Sequence, residues 1–149
     1  MATETERKFL VKGEFRHLSV RQIKINQAYL LKDPYKTIRL RITEDKAYLT
    51  IKTPLTQETI ARKEWEYQIP LDDANDIIKI CLPGRVCKTR YFVPSGRHTF
   101  EVDVFHDKNE GLVIAELELG SEDEQFDIPD WLGSEVTGNP AYYNSNLAK

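Results

Sequence analysis

Glutamates two residues apart stand at Glu4 and Glu6, at Glu64 and Glu66, and at Glu116 and Glu118, and Asp103 follows Glu101 at the same interval. Cations repeat the spacing in Arg39 with Arg41 and in Lys88 with Arg90, while Lys8 continues the line of Glu4 and Glu6. Residues i and i+2 of an extended strand share a face about 6.5–7 Å apart, so each doublet would set two like charges side by side. Such neighbours repel. They persist where something else neutralises them, a metal for carboxylates or phosphates for arginines and lysines. Glu4, Glu6, Asp103, Glu116 and Glu118, supported by Glu64, Glu66 and Glu101, offer only oxygen ligands. That donor set selects a hard cation, Mg2+ or Mn2+, over zinc or copper. Lys8, Arg39, Arg41, Lys52, Lys88 and Arg90 suit a polyanion, because arginine grips phosphate oxygens bidentately and lysine adds a compact charge. A hard cation among fixed positive charges is the equipment of phosphoryl transfer, in which the protein positions and neutralises a phosphate chain and does little covalent chemistry.

Other chemistries find little support. A P-loop and a GxGxxG are absent, and no Ser/His/Asp arrangement is evident. The three histidines, His17, His98 and His106, share no ligand spacing and are expected to be structural. Cys81 and Cys87 suggest small core residues and no disulfide framework. The net charge of −3 and the lack of a basic stripe argue against a nucleic-acid partner. The longest apolar run, residues 112–115, is far too short to span a bilayer, and a basic amphipathic helix is missing, so no membrane association is expected. The acidic, polar N-terminus lacks secretory or transit character, which makes a cytoplasmic location the expectation. At 149 residues the chain is expected to form one domain over residues 1–149.

The elements that must carry the doublets are strands. Period-two alternation rich in β-branched and aromatic residues marks residues 3–11, 22–31, 37–43, 47–53, 60–69, 86–93, 98–106 and 112–119. Short polar connections such as Lys32-Asp33-Pro34 and Glu44-Asp45-Lys46 predict antiparallel hairpins. Two segments look helical. Residues 72–82 place Ala74, Ile77, Ile78 and Cys81 on one face, with Asp72 or Asp73 as N-cap and Pro83-Gly84 as the stop. A second helix is predicted from Asn139 as N-cap, through Pro140 at its first position, to Leu147. Residues 121–125 read as an acidic loop.

Eight antiparallel strands either stack as a sandwich or close as a barrel. The face opposite the doublets is mostly apolar, with Phe9 and Val11, Leu40 and Ile42, Trp65 and Tyr67, Phe100 and Val102, and Leu117 and Leu119. An ordinary solvated face mixes neutral polar residues with charges of both signs, whereas six strands here each carry a doublet of one sign. The predicted fold is therefore α+β and mainly β: an eight-stranded antiparallel closed β-barrel with a charged lumen and flanking helices. Lys52 and Arg62 fall on the lumenal face.

The sequence at Glu4–Lys8, ETERK, resembles the ExExK signature of the CYTH superfamily, the triphosphate tunnel metalloenzymes. The rest follows in family order: Gln27-Ala28-Tyr29-Leu30, Arg39-Leu40-Arg41, Thr50-Ile51-Lys52, Arg62 with Glu64-Trp65-Glu66, Lys88-Thr89-Arg90-Tyr91, Glu101-Val102-Asp103-Val104-Phe105 and Ala115-Glu116-Leu117-Glu118-Leu119. Val136-Thr137-Gly138-Asn139 leading into Tyr142-Tyr143-Asn144 is also typical. The resemblance implies an eight-stranded tunnel. It assigns Glu4, Glu6, Asp103, Glu116 and Glu118 to the metal and Lys8, Arg39, Arg41, Lys52 and Arg90 to the triphosphate. Lys88 and Tyr29 match the positions proposed to activate the attacking water in short bacterial members. A base role for Lys88 needs its proton affinity lowered by burial or by a neighbour such as Arg90. In such proteins a C-terminal helix can plug one tunnel mouth, which would involve Tyr142, Tyr143 and Asn146.

Fold alone does not choose among the family's substrates. No pocket for a base or a thiamine is identifiable, and the chain is near minimal length for the fold, so hydrolysis of inorganic tripolyphosphate is the expected activity, with nucleoside triphosphates close behind. A class IV-type adenylate cyclase and a thiamine triphosphatase are the alternative enzymes, and a non-catalytic polyphosphate or nucleotide binder is the alternative outside enzymology. The expected partners are the small-molecule triphosphate and the cation, and a homodimer is left open.

Overall fold

A computed structural model describes residues 2–53 and 61–148. Nine strands are present among these residues: β1 (Ala2–Val11), β2 (Arg21–Lys32), β3 (Thr37–Ile42), β4 (Ala47–Lys52), β5 (Ala61–Ile69), β6 (Val86–Ser95), β7 (His98–Phe105), β8 (Val113–Leu119) and β9 (Leu132–Glu135). Their order is β5-β4-β3-β2-β6-β7-β8-β1-β9, with every pairing antiparallel, and β1 also pairs with β5. That last pairing closes eight strands into a barrel and leaves no free edge along the closed seam. The eight strands match the eight read from alternation, except that Ile60 lies outside the described residues.

β9 was not expected. One edge of β1 lies against β8 from Thr5 to Leu10, while its other edge is divided, with Ala2–Thr5 on β5 and Phe9 and Val11 on β9. β9 thus extends the wall where β5 runs out.

The apolar strand faces are covered from outside in two places. The helix α1 (Leu71–Ile77), continued by a 3-10 turn at Ile78–Ile80, packs Ala74, Ile77 and Ile78 on Leu40, Ile42, Leu49 and Ile69. It starts one residue before the predicted position, and Pro70 occupies the cap without a side-chain hydrogen bond. Asp72 and Asp73 are first-turn acids beside the positive helix end, not the cap. The second cover is the stretch between β8 and β9, from which Phe126 and Trp131 join Phe15 over Phe9, Phe100, Val102 and Leu117. Trp131 meets Phe100 edge-on at 5.2 Å. The predicted loop at 121–125 is pinned there by Glu124, which accepts from His98 at 2.5 Å and from the Gly120 amide at 2.7 Å.

A third cluster, Tyr29, Val86, Phe105 and Ile114 with Leu147 and Ala148, sits inside one end of the barrel. The C-terminal segment closes that end. Asn139 caps it as predicted, accepting from the Ala141 amide at 3.1 Å, but the helix is broken into a 3-10 turn at Pro140–Tyr142 and α2 (Asn144–Leu147), with extended Tyr143 between them. The predicted continuous helix is thus two short pieces. The break lets the chain turn Leu147 into the barrel. Both cysteines are free and half-buried, Cys81 at the margin of the α1 cluster and Cys87 against Asn26. Among the described residues no helix is long and apolar enough to cross a membrane.

Candidate active site

Strand alternation sends the doublets inward, and two adjoining cavities open among them. One, of about 450 Å3, is lined by four cations, Lys8, Arg39, Lys52 and Arg62, with Thr37, Thr50, Tyr29, Tyr143, Asn144 and Ser145. The other, of about 590 Å3, shares Arg39, Lys52 and Asn144 with the first and adds Glu4, Glu6, Glu64, Glu66, Glu101, Glu116 and Glu118, together with Arg41 and Arg90. The charge segregation inferred from the sequence is thus spatial. A purely cationic chamber lies next to one rich in carboxylates.

Register explains the arrangement. Glu6 lies opposite Glu118 and Lys8 opposite Glu116 across β1 and β8, and Glu116 lies opposite Glu101 across β8 and β7. Arg90 faces Asp103 across β6 and β7, and Tyr29 faces Arg39 across β2 and β3. Fourteen of the sixteen residues singled out above line the two cavities. The other two, Lys88 and Asp103, are packed together with no side-chain exposure, Nζ to Oδ2 at 2.7 Å.

The opposite charges largely hold one another. Arg90 clamps Asp103 through Nε to Oδ1 at 2.7 Å and Nη2 to Oδ2 at 2.9 Å, and it reaches Glu101 at 3.1 Å and Glu116 at 3.4 Å. Lys52 meets Glu4 at 2.8 Å, and Lys8 lies 3.7 Å from Glu116 and donates to the Tyr142 carbonyl at 3.3 Å. Arg39 touches Thr50 at 3.4 Å and Glu66 at 3.9 Å, while Arg41 Nε donates to Gln27 Oε1 at 3.1 Å. Gln27 Nε2 and Arg39 Nε are buried donors that find no acceptor among the described residues. Buried donors of that kind ask for an acceptor from a ligand.

Proton affinities follow the same geometry. Burial, then the repulsion of Glu116, raises Glu6 to about 7. Burial outweighs Arg90 to raise Glu101, and burial with Glu4 and Glu6 nearby raises Glu118. Burial would also raise Asp103 and Glu116, but Arg90 with Lys88, and Lys8 with Arg90 and Lys88, hold them below the usual carboxylate range. Burial draws Lys88 down to about 8 against the pull of Asp103, with Arg90 adding to the fall, and burial with Arg39 and Arg90 takes Arg41 to about 10. Tyr29 is raised by burial despite Arg39, Arg62 and Arg41.

The donor set fits a hard cation in part. Glu6 and Glu118 face each other across two strands, and among the described residues no ion pair within 4 Å joins either of them to a lysine or arginine. This like-charged pair suits a cation that both carboxylates would share. As the side chains stand, no three acidic, cysteine or histidine residues among those described converge closely enough to hold an ion. Glu4, Asp103 and Glu116 are occupied by lysine and arginine instead.

Three neutral residues, Gln27, Thr50 and Asn144, stand in the sequence motifs with no role assigned to them. Thr50 and Gln27 lie two residues from Lys52 and Tyr29, so alternation alone could have found them. Asn144, which borders both cavities, carries no comparable pattern. The described histidines with side-chain partners point elsewhere, His98 to Glu124 and His106 to Thr89.

The chain is similar to an inorganic triphosphatase of Acetivibrio thermocellus, 44% identical over 150 residues that cover all of this chain and 95% of that protein. It is also similar to an inorganic triphosphatase of Nitrosomonas europaea, at 35% identity over 98% of this chain and 97% of that one. A crystal structure of an inorganic triphosphatase superposes with a TM-score of 0.66 at 34% identity, covering 99% of this chain and 95% of the other. A sequence model of the CYTH domain matches residues 2–146, and the chain belongs to the CYTH domain family.

Proposed function

We propose that this protein hydrolyses a linear triphosphate, inorganic tripolyphosphate, inside the barrel with the help of Mg2+ or Mn2+. One observation carries the proposal: a chamber lined by Lys8, Arg39, Lys52 and Arg62 adjoins a chamber rich in carboxylates within a closed barrel. The naming of relatives at 44% and 35% identity as inorganic triphosphatases supports it.

In this proposal the four cations, with Arg41 beside them, bind and align the phosphate chain, and Arg39 Nε and Gln27 Nε2 gain the acceptors they lack. Glu6 and Glu118 would hold the cation, with Glu4 and Glu116 next to them on the same wall. When bound, such an ion withdraws charge from phosphate oxygens. Lys88 is the proposed acceptor of the water's proton, since burial has brought its ammonium to about 8, near working pH. That role asks its contact with Asp103 to open. Tyr29, raised by burial, is no base, and its place in the cationic chamber suits orienting the water or a phosphate oxygen. Arg90, bound to three carboxylates, would fix Asp103, Glu101 and Glu116 and touch phosphate only by exchanging one of them.

The test offers tripolyphosphate, ATP and thiamine triphosphate separately, each with Mg2+ or Mn2+, and measures phosphate release and cyclic AMP. Fastest phosphate release from tripolyphosphate supports the proposal. Cyclic AMP from ATP would replace it with a cyclase, and binding without turnover of all three would replace it with a sensor.

A further inference from the structure

We propose that Thr137 is a positioning residue that sets Lys8 in the cationic chamber. On one edge of β1 the pairing with β5 ends at Thr5 and the pairing with β9 begins at Phe9, so Lys8 falls in the gap between two partner strands. The residues after β9 fill that gap. The Lys8 amide donates to Thr137 Oγ1 at 2.8 Å, and the Lys8 carbonyl accepts from the Val136 amide at 2.8 Å. Thr137 is held in turn, donating to Glu135 Oε2 at 2.6 Å, and Arg7 grips Glu135 through Nε to Oε2 at 2.8 Å and Nη2 to Oε1 at 2.5 Å.

The same segment also reaches the other end of the lysine. Gly138, at φ +78, turns the chain so that the Tyr142 carbonyl accepts from Lys8 Nζ at 3.3 Å. Lys8 is thus fixed at its backbone by Val136 and Thr137 and at its ammonium by Tyr142. A hydroxyl is required at 137 because it accepts from one backbone group while donating to a carboxylate. Valine has nearly the same shape and can do neither. Losing the clamp loosens β1 at the residue that carries a phosphate contact, and small displacements of such a group are costly to binding.

This inference rests on Lys8 contacting phosphate, so the experiment separates the two ideas. Thr137→Val, Thr137→Ser, Lys8→Met and the double variant Lys8→Met with Thr137→Val are compared for tripolyphosphate affinity by calorimetry, for kcat and KM, and for Tm. Thr137→Val is expected to weaken affinity and raise KM about tenfold with kcat within about twofold, and Thr137→Ser to restore both. In the Lys8→Met background Thr137→Val should change affinity no further, because coupled residues are not additive. Unchanged affinity in Thr137→Val, or an equal further loss on top of Lys8→Met, overturns the positioning role. Wild-type affinity in Lys8→Met overturns the phosphate role of Lys8, and the inference with it. Should Thr137→Val fail to fold, Thr137→Ala is read by the same criteria.

Discussion

Lys52 Nζ lies 2.8 Å from Glu4 Oε2 and 3.1 Å from Glu4 Oε1, so a candidate phosphate cation and a candidate metal carboxylate neutralise each other. Each comes from a wall of opposite charge. Lys88 with Asp103 and Arg90 with Asp103, Glu101 and Glu116 repeat the arrangement. The lumen balances its own charge, and a triphosphate with a cation would take over both halves of that balance.

Glu4→Gln is therefore expected to abolish tripolyphosphate turnover, by about 100-fold or more, without removing the fold. The ligand-free protein should also lose stability, because breaking a buried pair leaves Lys52 uncompensated at a cost of about 3–5 kcal/mol. Tripolyphosphate should protect this variant against heat more than it protects the wild type, since phosphate supplies the missing partner. Thermal unfolding with and without tripolyphosphate checks this. Normal turnover with metal present would remove Glu4 from the ligand set. Glu116→Gln, which leaves Lys8, Arg90 and Lys88 short of a counter-charge, should behave alike.

Glu6 gives the metal-free protein a pH dependence of known sign. Its folded pKa of about 7 stands above the ordinary carboxylate value of 4.5, so the folded state holds the extra proton. The associated stability is fully present below about 4.5 and is lost as pH rises through about 7. Unfolding followed from pH 4.5 to 8 with chelator should show Tm falling in the wild type and falling less in Glu6→Gln. Affinity for Mg2+ or Mn2+ should rise over the same interval, since only the ionised carboxylate binds a cation. A cation affinity that is flat with pH would exclude Glu6 as a ligand.

How much of this was legible in the sequence depends on what alternation can encode. Period two tells which way Arg39 or Glu116 points, and it placed thirteen of the fourteen residues on the cavity walls, Tyr29 coming from the family resemblance. Pairing across strands is another matter. Nothing in the order of residues says that Lys52 will meet Glu4, 48 positions away, because that contact depends on barrel closure through β1 and β5. β9 escaped for a local reason. Gly133 weakens a four-residue strand pattern, yet a side chain there would stand 2.8 Å from the Leu10 carbonyl oxygen, so only glycine lets β9 approach β1. The break at Tyr143 was equally hidden, since tertiary burial of Leu147 sets it.

Lys88 should impose its own titration on catalysis. A lysine must lose its proton before it can accept one from water, and burial has lowered this group from 10.5 to about 8. The rate of tripolyphosphate hydrolysis is expected to climb with pH and level off above about 8. Lys88→Arg keeps the charge but cannot release a proton, so its rate should be about 100-fold lower and lack that rise. Initial rates from pH 6 to 10 decide the matter. A Lys88→Arg enzyme with the wild-type profile would reduce Lys88 to a charge.

Leu147 offers the last test, because it joins stability to the shape of the cationic chamber. Its side chain is buried against Tyr29, Val86, Phe105 and Ile114, and its carbonyl accepts from Asn109 Nδ2 at 2.8 Å. Lys32 holds the same segment through the carbonyls of Ser145 at 3.2 Å and Ala148 at 3.0 Å. Leu147→Ala should cost about 2–4 kcal/mol, with Tm falling accordingly. Tyr143, Asn144 and Ser145, immediately before it, line the chamber, so KM for tripolyphosphate should also rise, by about threefold to tenfold. Phe15→Ala serves as the control. It empties a buried site in the outer core, in a cluster that shares no residue with the one around Leu147, at a cost of about 3–5 kcal/mol. Measured well below both unfolding transitions, Phe15→Ala should leave KM unchanged while Leu147→Ala raises it. An equal rise in both variants would mean that general loosening moves KM, and that the C-terminal segment has no particular hold on the chamber.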